Sequence, residues 1–417
     1  MNGFLKHTLL MFFALRAGDL VNVAAGMWFV PRYVSPQDIG AVLPVSSFAT
    51  FLSLPMFAFA MTVMKESAQL AAAGERGKVK SLLTGVFVAV AAILVLVMAV
   101  SALVVPHFLE AMRVSDCSIG FLVVAAAFLG CTAPVYADAL QSLKRFRALA
   151  TVEIAGSVMR FLTMLAVMPF RALAGYFAGQ AVIPAVRMAG SIVALRDDLA
   201  VRGEPYWNRA AAKRIGLSFL AVIAYQAAPM FASLVEQSIL RTTLPAVDSA
   251  GYYMISRSSD FLYCLTFPLM LVMFPYTATA AQRKGSTRPF VLKCSATTLA
   301  AAVLMAGAYS VFGEHFLSLM PHGTDYADYA VYMPWLVAIT ALTTCQVFFT
   351  NAEVSAGRFG FLYWLVPLHI AYPAVLHIIS KCGYVKDLHT MIAWIGIASV
   401  LRFVFASIGM FRPRNMV

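Results

Sequence analysis

Two pairs of oppositely charged residues interrupt stretches of sequence that are otherwise apolar. Arg16 and Asp19 lie in MFFALRAGDLVNVAAGMWFV (11–30), and Arg257 and Asp260 lie in SRSSDFL (256–262). Residues three positions apart share one face of a helix. Because a charge at the centre of a bilayer costs at least ~2.5 kcal/mol, we expect these residues to line a polar cavity. The alternatives are structural ion pairs, or arginines that extend their charge to the membrane surface.

Other polar residues and prolines within apolar stretches are further candidates for function. Gln226 lies in AYQAAPM (224–230), and Glu236 follows an apolar run towards the outer end of the same stretch. Proline lacks a backbone N–H, so a proline inside a membrane helix frees a carbonyl and bends the helix. The predicted hinges are Pro55, Pro229 and Pro268. The alternative interpretations are an ordinary helix contact for Gln226 and static kinks for the prolines. Other charged or titratable residues are given structural roles: hydrogen-bond donors between helices for Arg160, Arg187 and Arg402, core or interface positions for His369 and His377, and pairing with neighbouring basic loops for Asp138, Glu153 and Glu353.

Nearly the whole chain is too apolar for a soluble protein. Its 417 residues are 61% hydrophobic and 12% charged, with a mean hydropathy of +0.81, whereas soluble domains carry about 25% charged residues. Runs of about 20 apolar residues recur, the length that a membrane helix needs, without the alternation of a membrane β-barrel. We predict an all-α polytopic membrane protein. Its twelve predicted spans are 9–30, 39–63, 81–105, 119–142, 148–168, 172–195, 215–239, 251–277, 290–312, 330–351, 360–379 and 389–411.

The distribution of positive charge predicts the orientation of these spans. When the first residue is placed in the cytoplasm, 20 of the 31 Lys and Arg residues fall in cytoplasmic segments and six in external ones. Cytoplasmic loops are enriched in Lys and Arg, so both termini are predicted to be cytoplasmic. The net charge of +12 is then expected to contact anionic lipids at the cytoplasmic face. No aromatic-basic platform or zinc pattern indicates nucleic-acid binding.

The chain contains an internal repeat at an offset of 213 residues. Residues that recur at this offset include Pro55 with Pro268, Gln69 with Gln282, Lys80 with Lys293 and Arg145 with Arg358. The offset moves each span onto the one six later, so the two halves share an orientation. Parallel repeats of this kind are typical of transporters, whose substrate site lies between the repeats. We predict an N-terminal lobe (1–195), a cytoplasmic linker (196–214) and a C-terminal lobe (215–417) around a central cavity.

Three segments resemble the Wzx-type lipid-linked oligosaccharide flippases. FVPRYVSPQDIGAVLPVSSFATFLSLP (29–55) is similar to their first-to-second-span region, and LQSLKRFRAL (140–149) to the basic turn between spans four and five. The segment 234–278, which runs from an acidic residue through AGYY to FPYTA, is similar to their seventh and eighth spans. The resemblance places the chain in the multidrug/oligosaccharidyl-lipid/polysaccharide (MOP) exporter superfamily. It implies a two-lobed, MATE-like bundle whose cavity is lined by spans 1, 2, 7 and 8.

The resemblance also implies a function and roles for the candidate residues. The expected substrate is a polyprenyl-diphosphate-linked oligosaccharide, flipped across the bacterial inner (plasma) membrane for surface polysaccharide synthesis. Arg16, Arg257 and Gln226 are then expected to bind substrate. The acidic residues Asp19, Asp260 and Glu236 are candidates for charge pairing or for H⁺ or Na⁺ coupling. A polysaccharide polymerase and chain-length proteins are candidate partners.

Other function classes remain as alternatives or are disfavoured by the sequence. An ion-coupled drug/cation antiporter of the same superfamily predicts a mainly acidic cavity, whereas the deep charges here mix Arg with Asp. A membrane glycan polymerase needs a large external domain, and the longest external loop, 313–329, is short and lacks Lys and Arg. The chain has no Walker loop, and its six cysteines form no CxxC pair. We therefore expect no enzymatic activity, no cofactor and no metal site.

Overall fold

A computed structural model of the chain describes residues 13, 18–54, 63, 66–67, 70, 74–143, 145–282, 286–355, 358 and 360–411. Arg16 and Pro55, two of the predicted functional residues, lie outside this part of the chain. The described residues form twelve long helices. Their bounds are 18–33 (α1), Pro36–Leu52 (α2), Arg76–Ala111 (α3), Cys117–Ser142 (α4), Phe146–Val167 (α5), Ala172–Ala194 (α6), Arg209–Thr243 (α7), Ala246–Gln282 (α8), Arg288–Ser318 (α9), Met333–Ser355 (α10), Leu362–Lys381 (α11) and Leu388–Phe411 (α12).

The helices confirm the all-α fold class, and each predicted span contributes one of them. Eight of the described helices are long and apolar enough to cross a membrane, namely α3–α6 and α9–α12. The helices α7 and α8 have 35 and 37 residues, about 50 Å at 1.5 Å per residue, which exceeds the ~30 Å hydrocarbon core. The length and apolar composition of the eight spanning helices show that the chain is a multi-pass membrane protein.

The chain divides into two compact units. Unit 1 comprises residues up to Ala25 and Ala41–Met230, and unit 2 comprises Gly26–Gly40 and Phe231–Val417. The chain therefore passes from one unit to the other within α1, α2 and α7. The lobe boundaries were inferred from the sequence repeat, whereas the two units are defined by contacts in the structure. The lobe boundaries therefore stay a prediction.

The segment after α6 is fastened to unit 1. Arg145 pairs with Asp198 of the short helix Arg196–Ala200 at 2.7 Å, and Tyr206 Oη donates to Glu66 Oε2 at 2.6 Å. The indole of Trp207 donates to the carbonyl of Ser81 at 2.9 Å and lies so close to Gly85 that any side chain there would collide with it. These contacts bring the predicted cytoplasmic segments of unit 1 to one end.

At another edge of unit 1, Arg171 pairs with Asp116 at 3.0 Å. This contact joins the α3–α4 and α5–α6 loops, which are both predicted to be external. Which end of the unit faces the cytoplasm remains a prediction.

Unit 2 contains the second part of α1. Residues Ala25–Phe29 form a π-helical turn, followed by the α-helical turn Val30–Tyr33. The Trp28 indole donates to the carbonyl of Leu319 at 3.0 Å, which anchors this segment beside the end of α9. In α2, Gly40 packs against Ser249 and Arg241, where a Cβ atom would lie 2.6 Å from Ser249 Cβ. Glycine at position 40 therefore permits this close approach.

Prolines occur inside many of these helices. They include Pro44 in α2, Pro106 in α3, Pro134 in α4, Pro184 in α6, Pro229 in α7 and Pro367 and Pro373 in α11. Each removes one helical hydrogen bond and frees the carbonyl four residues before it. Pro229 immediately precedes the point at which α7 passes from unit 1 into unit 2. Pro268 lies within α8, although its side chain is outside the described part.

Candidate functional site

The predicted pair on α8 is formed in the structure. Arg257 Nη1 lies 2.9 Å from Asp260 Oδ2, and the two side chains are 24% and 37% exposed. The guanidinium carbon of Arg257 also lies 5.1 Å from the centroid of the Tyr253 ring, a distance typical of a cation–π contact. The arginine is therefore oriented by a carboxylate and an aromatic face but retains an accessible surface.

The π-helical turn of α1 lies against this pair. The hydroxyl of the buried Tyr253 donates to the carbonyl of Gly26 at 3.0 Å. A π-helical turn inserts one extra residue and leaves a carbonyl without its usual donor, and such turns are frequent at functional sites. A Cβ at position 26 would lie 3.7 Å from both Arg257 Cδ and Tyr253 Oη. The turn and the arginine of α8 therefore pack as one arrangement within unit 2.

Glu236 belongs to a second, buried cluster in unit 2. Its side chain is 9% exposed, and Tyr372 Oη of α11 donates to Glu236 Oε2 at 2.8 Å. The guanidinium carbon of Arg402, from α12, lies 4.3 Å from the Tyr372 ring centroid. One tyrosine thus contacts a carboxylate through its hydroxyl and a cation through its ring.

Arg402 forms no ion pair with the described residues of this cluster. Its Nε and Nη2 atoms are buried and donate no hydrogen bond within the described part of the chain. The buried His369 lies one turn before Tyr372 on α11, and its Nδ1 is 2.8 Å from the carbonyl of Leu365. The sequence interpretation treated Arg402 as a hydrogen-bond donor between helices and His369 as a core residue. The main contact of Arg402 is instead the ring of Tyr372.

The two clusters of unit 2 share a neighbour. The buried Tyr252 lies within electrostatic reach of both Glu236 and Arg257. The fold therefore brings three predicted residues, Glu236, Arg257 and Asp260, into one region. Sequence reasoning missed Tyr372, because a tyrosine near the apolar residues of a span carries no distinctive pattern. Arg402 had a usable signal, a cation in the middle of an apolar helix.

The remaining predicted residues lie in unit 1. Asp19 is half-buried in α1, and the adjacent Gly18 packs against Ser157 of α5. Gln226 is half-buried in α7, three residues before Pro229. The pairing of Asp19 with Arg16 stays a prediction, because Arg16 is outside the described residues.

Unit 1 has its own ion pair between helices. Arg187 Nε of α6 lies 2.9 Å from Glu153 Oε1 of α5, and both side chains are partly buried. The buried Asp138 of α4 is within electrostatic reach of this pair. The sequence interpretation paired Glu153 with a basic loop, and this was wrong, since its partner is an arginine inside a neighbouring span. Glu353, which received the same interpretation, does pair with the loop residue Arg358 at 3.1 Å.

Cysteines and acidic clusters indicate no further chemistry in the described part of the chain. All six cysteines are free thiols. No group of three or more His, Cys, Asp or Glu side chains among the described residues is arranged to hold a metal ion. The polar groups of the two units are thus guanidinium, carboxylate, hydroxyl and amide groups, which bind anions, protons, monovalent cations or hydroxylated ligands.

Solved structures with the same fold are membrane transporters. The chain is similar to an inward-facing multidrug resistance MATE family transporter of the MOP superfamily, with a TM-score of 0.70, 13% identity and coverage of 97% of this chain and 98% of that one. The eukaryotic MATE transporter AtDTX14 has a TM-score of 0.70 at 13% identity, covering 99% and 97%. A MATE structure in the straight conformation has a TM-score of 0.63 at 12% identity, covering 97% and 95%.

No protein-family model matches the chain, and no curated protein matches it in sequence. The similarity therefore rests on three-dimensional structure over nearly the full length of both chains. The described residues form twelve long helices in two units, and the chain, which aligns end to end with these transporters, has the fold of MATE transporters.

Proposed function

We propose that the chain is a flippase, and not an enzyme, that translocates a polyprenyl-diphosphate-linked oligosaccharide by alternating access. The process it would serve is the synthesis of a bacterial surface polysaccharide, such as O-antigen, capsule or exopolysaccharide. The observation that carries the proposal is Arg257, a partly exposed cation within α8 of a chain that has a transporter fold.

The chemistry of Arg257 suits a diphosphate. A guanidinium remains charged at physiological pH, and its planar fork of donors matches phosphate oxygens. A prenyl diphosphate carries at least two negative charges, which need such a partner inside the membrane. Asp260 orients the guanidinium and competes with the diphosphate for it, so that the substrate is released rather than trapped. Arg16, with Asp19 as its partner, is proposed as a second contact, and Gln226 as a hydrogen-bonding contact to the glycan.

Glu236 is the leading residue for coupling to an ion gradient. A buried carboxylate with one hydroxyl donor at 2.8 Å has unused acceptor capacity, which a proton or Na⁺ can occupy. Asp19 and Asp260 are further candidates for the same role. Pro229 and Pro268 are proposed hinges, because a proline weakens its helix at one point, and Pro55 is proposed by analogy. We propose that both termini are cytoplasmic, that the membrane is the inner membrane, and that anionic lipids and the polymerase machinery are partners.

The test uses deletion and complementation in the native host. Deletion is expected to leave the lipid-linked saccharide on the inner leaflet and to reduce surface polysaccharide. R257A is expected to lower polysaccharide export at least ~10-fold, while R257K retains part of it as a point charge. The matched control is R196A, which removes an exposed arginine outside the long helices. Full export by R257A at normal expression would contradict the assignment of Arg257 to the diphosphate.

A second candidate function is an ion-coupled drug/cation antiporter. The buried Glu236 favours it, since an acidic group in an apolar environment attracts cations, and one structural neighbour is a multidrug resistance MATE family transporter. Under this hypothesis, deletion sensitises cells to cationic drugs, and E236Q abolishes resistance without changing surface polysaccharide. The flippase proposal predicts unchanged drug sensitivity and reduced polysaccharide in the same strains.

A further inference from the structure

A cleft of about 290 Å³ lies within unit 1, between α2, α4 and α6. Its walls are mostly small apolar side chains, and this is what leaves the space open. The residues of this kind that line it include Ala49, Ala126, Gly130 and Ala133. A Cβ at position 130 would lie 3.2 Å from Ser53 Oγ, so glycine allows a close approach of α4 to the end of α2.

One face of α2 supplies hydroxyl groups to this cleft. Ser46, Thr50 and Ser53 are spaced four and three residues apart, which aligns them on one side of the helix. Thr50 and Ser53 donate to the carbonyls of Ser46 and Ala49, both at 2.9 Å, and their oxygens remain free to accept. Ser46 Oγ is buried and has no hydrogen-bond partner in the described part of the chain.

Two prolines add backbone acceptors to the same cleft. Pro134 and Pro184 lie inside α4 and α6 and line the cleft together with Gly130 and Gln180. Each proline lacks an N–H, so the carbonyl four residues earlier, that of Gly130 or Gln180, loses its helical donor. In a membrane such a carbonyl needs another donor, because no lipid can provide one. A ligand with hydroxyl groups can provide it.

The α6 wall carries donors and an aromatic side chain. Gln180 Nε2 donates to Tyr176 Oη at 2.9 Å, and its second amide hydrogen is available. Arg187 lines the cleft while paired with Glu153, so its charge is already neutralised. Phe177 supplies an apolar wall. The cleft thus combines hydroxyls, carbonyls and an amide with an apolar surface, and it offers no free charge among the lining residues that the structure describes.

We propose that this cleft is a subsite for one sugar residue of the transported glycan. A sugar ring has a polar edge of hydroxyls, which both donate and accept, and apolar C–H faces that pack on Phe177 and the alanines. Ligand pockets typically span ~300–1,000 Å³, so a volume at the lower limit suits a monosaccharide unit. A drug cation would instead require an accessible negative charge. The inference rests on the proposed function and adds a site for the glycan to it.

The internal repeat places a related cleft in unit 2. A cleft of about 240 Å³ lies between α8 and α10, lined by Thr266, Thr340, Thr343 and Thr344 among others. The offset of 213 residues carries Ser53 onto Thr266 and Gly130 onto Thr343. A hydroxyl group is therefore retained at the first of these related positions, and Thr343 adds one where unit 1 has glycine, but the described lining residues of the unit 2 cleft include no amide and no charge. The unit 1 cleft is the richer in hydrogen-bonding groups, which is why the sugar subsite is assigned to it.

The test measures binding to the full chain in lipid nanodiscs. The probes are farnesyl diphosphate and farnesyl diphosphates that carry N-acetylglucosamine, glucose or galactose. Wild type is expected to bind at least one sugar-bearing probe about tenfold more tightly than farnesyl diphosphate. A49L, which fills the cleft, and T50V, which removes a hydroxyl at constant shape, are expected to reduce this ratio towards one. Both should leave the affinity for farnesyl diphosphate unchanged.

The matched control is A92L, at an exposed position of α3, which should leave the tenfold ratio intact. If A49L and T50V keep wild-type melting temperatures and still bind the sugar-bearing probe about tenfold more tightly than farnesyl diphosphate, the assignment of the cleft as a sugar subsite is overturned. Equal binding of all probes by wild type would also overturn it and leave the flippase proposal standing. Failure of wild type to bind any prenyl diphosphate would overturn both. Loss of ethidium binding in A49L with no sugar-dependent binding would assign the cleft to drug cations instead.

Discussion

Two consecutive helices in each unit, α5 and α6 in unit 1 and α11 and α12 in unit 2, place an arginine at a similar position but surround it differently. Glu153 and His369 both lie seven residues after the first residue of α5 and α11, and Arg187 and Arg402 lie fifteen and fourteen residues after the first residue of α6 and α12. In unit 1 the carboxylate faces the arginine at 2.9 Å. In unit 2 a histidine lies at the same distance from the start of its helix, and Arg402 stacks on Tyr372.

The carboxylate of unit 2 comes from another helix. Glu236 of α7 accepts the hydroxyl hydrogen of Tyr372, so the tyrosine stands between the acid and the arginine. A direct ion pair stabilises one geometry, because separation would leave two charges exposed to an apolar environment. Two charges that each contact the same tyrosine, and not each other, can separate at a lower cost in free energy. In unit 1 the arginine is therefore held by a direct ion pair, whereas in unit 2 an aromatic ring separates the acid from the arginine.

The largest expected effect is on the stability of unit 1. E153Q removes the ion-pair partner of the partly buried Arg187 and leaves Asp138 as the acidic group within its electrostatic reach, which should destabilise the protein by up to about 3 kcal/mol. The thermal unfolding midpoint in detergent and the yield of folded protein measure this. The double variant E153Q/R187M, which removes both charges, should recover most of the loss. An E153Q protein as stable as wild type would break the assignment of a structural role to this pair.

An intermediate effect is expected when unit 2 is made to resemble unit 1. H369E places a carboxylate on α11 within reach of Arg402, which currently lies within electrostatic range of His369. The new carboxylate should capture the arginine, withdraw it from Tyr372 and reduce transport about tenfold with little loss of folded protein. H369Q is the control, since it changes the side chain without adding a charge. If H369E and H369Q transport equally well, the freedom of Arg402 is not part of the mechanism.

The smallest expected effect is on the stability contributed by two loop carboxylates, Asp116 in unit 1 and Asp387 in unit 2. The hydrogen bond from Ser118 and then the charge of Arg171 lower the pKa of Asp116, as hydrogen bonds from Thr390 lower the pKa of Asp387. A carboxylate with a lowered pKa contributes stability above its unfolded-state pKa of ~3.9, and this is lost as the pH falls through the folded-state value. D116N should therefore lower stability by less than about 1 kcal/mol at pH 7, because the pair with Arg171 is half-exposed.

The pH profile of unfolding between pH 5 and 3 checks this prediction. D116N should flatten the acid limb slightly, and D387N should do the same without breaking an ion pair. A steeper acid limb in D116N would show that the carboxylate is not stabilising in the folded protein.

Local sequence patterns predicted the helices, but they did not predict contacts between residues that lie far apart in the sequence. All twelve helices follow from apolar runs of membrane-spanning length, and the Arg257–Asp260 contact follows from a spacing of three residues within one helix. The contact between Glu153 and Arg187 joins residues 34 positions apart on two helices. No periodicity along the chain encodes such a contact, so the loop pairing expected for Glu153 was wrong.

The contact of Glu236 with Tyr372 was also beyond the reach of local sequence patterns. Its position along α7 was evident, but its partner Tyr372 is 136 residues away. The π-helical turn at Ala25–Phe29 was likewise not evident, since its residues are ordinary for a membrane helix. Its partner, the Tyr253 hydroxyl, is 227 residues away from Gly26.

The sequence by itself determined that the chain is all-α, crosses the membrane many times and repeats internally, because hydrophobicity and helical spacing act over short stretches of chain. Only the tertiary structure decided which charges are neutralised and by what. Burial and partner choice depend on which helices pack together, and the energy of a charge in an apolar environment is set by neighbours that lie far away in sequence. That is why Arg187 and Arg402, which lie at similar distances from the starts of their helices, are an ion-pair partner in one unit and a cation on an aromatic ring in the other.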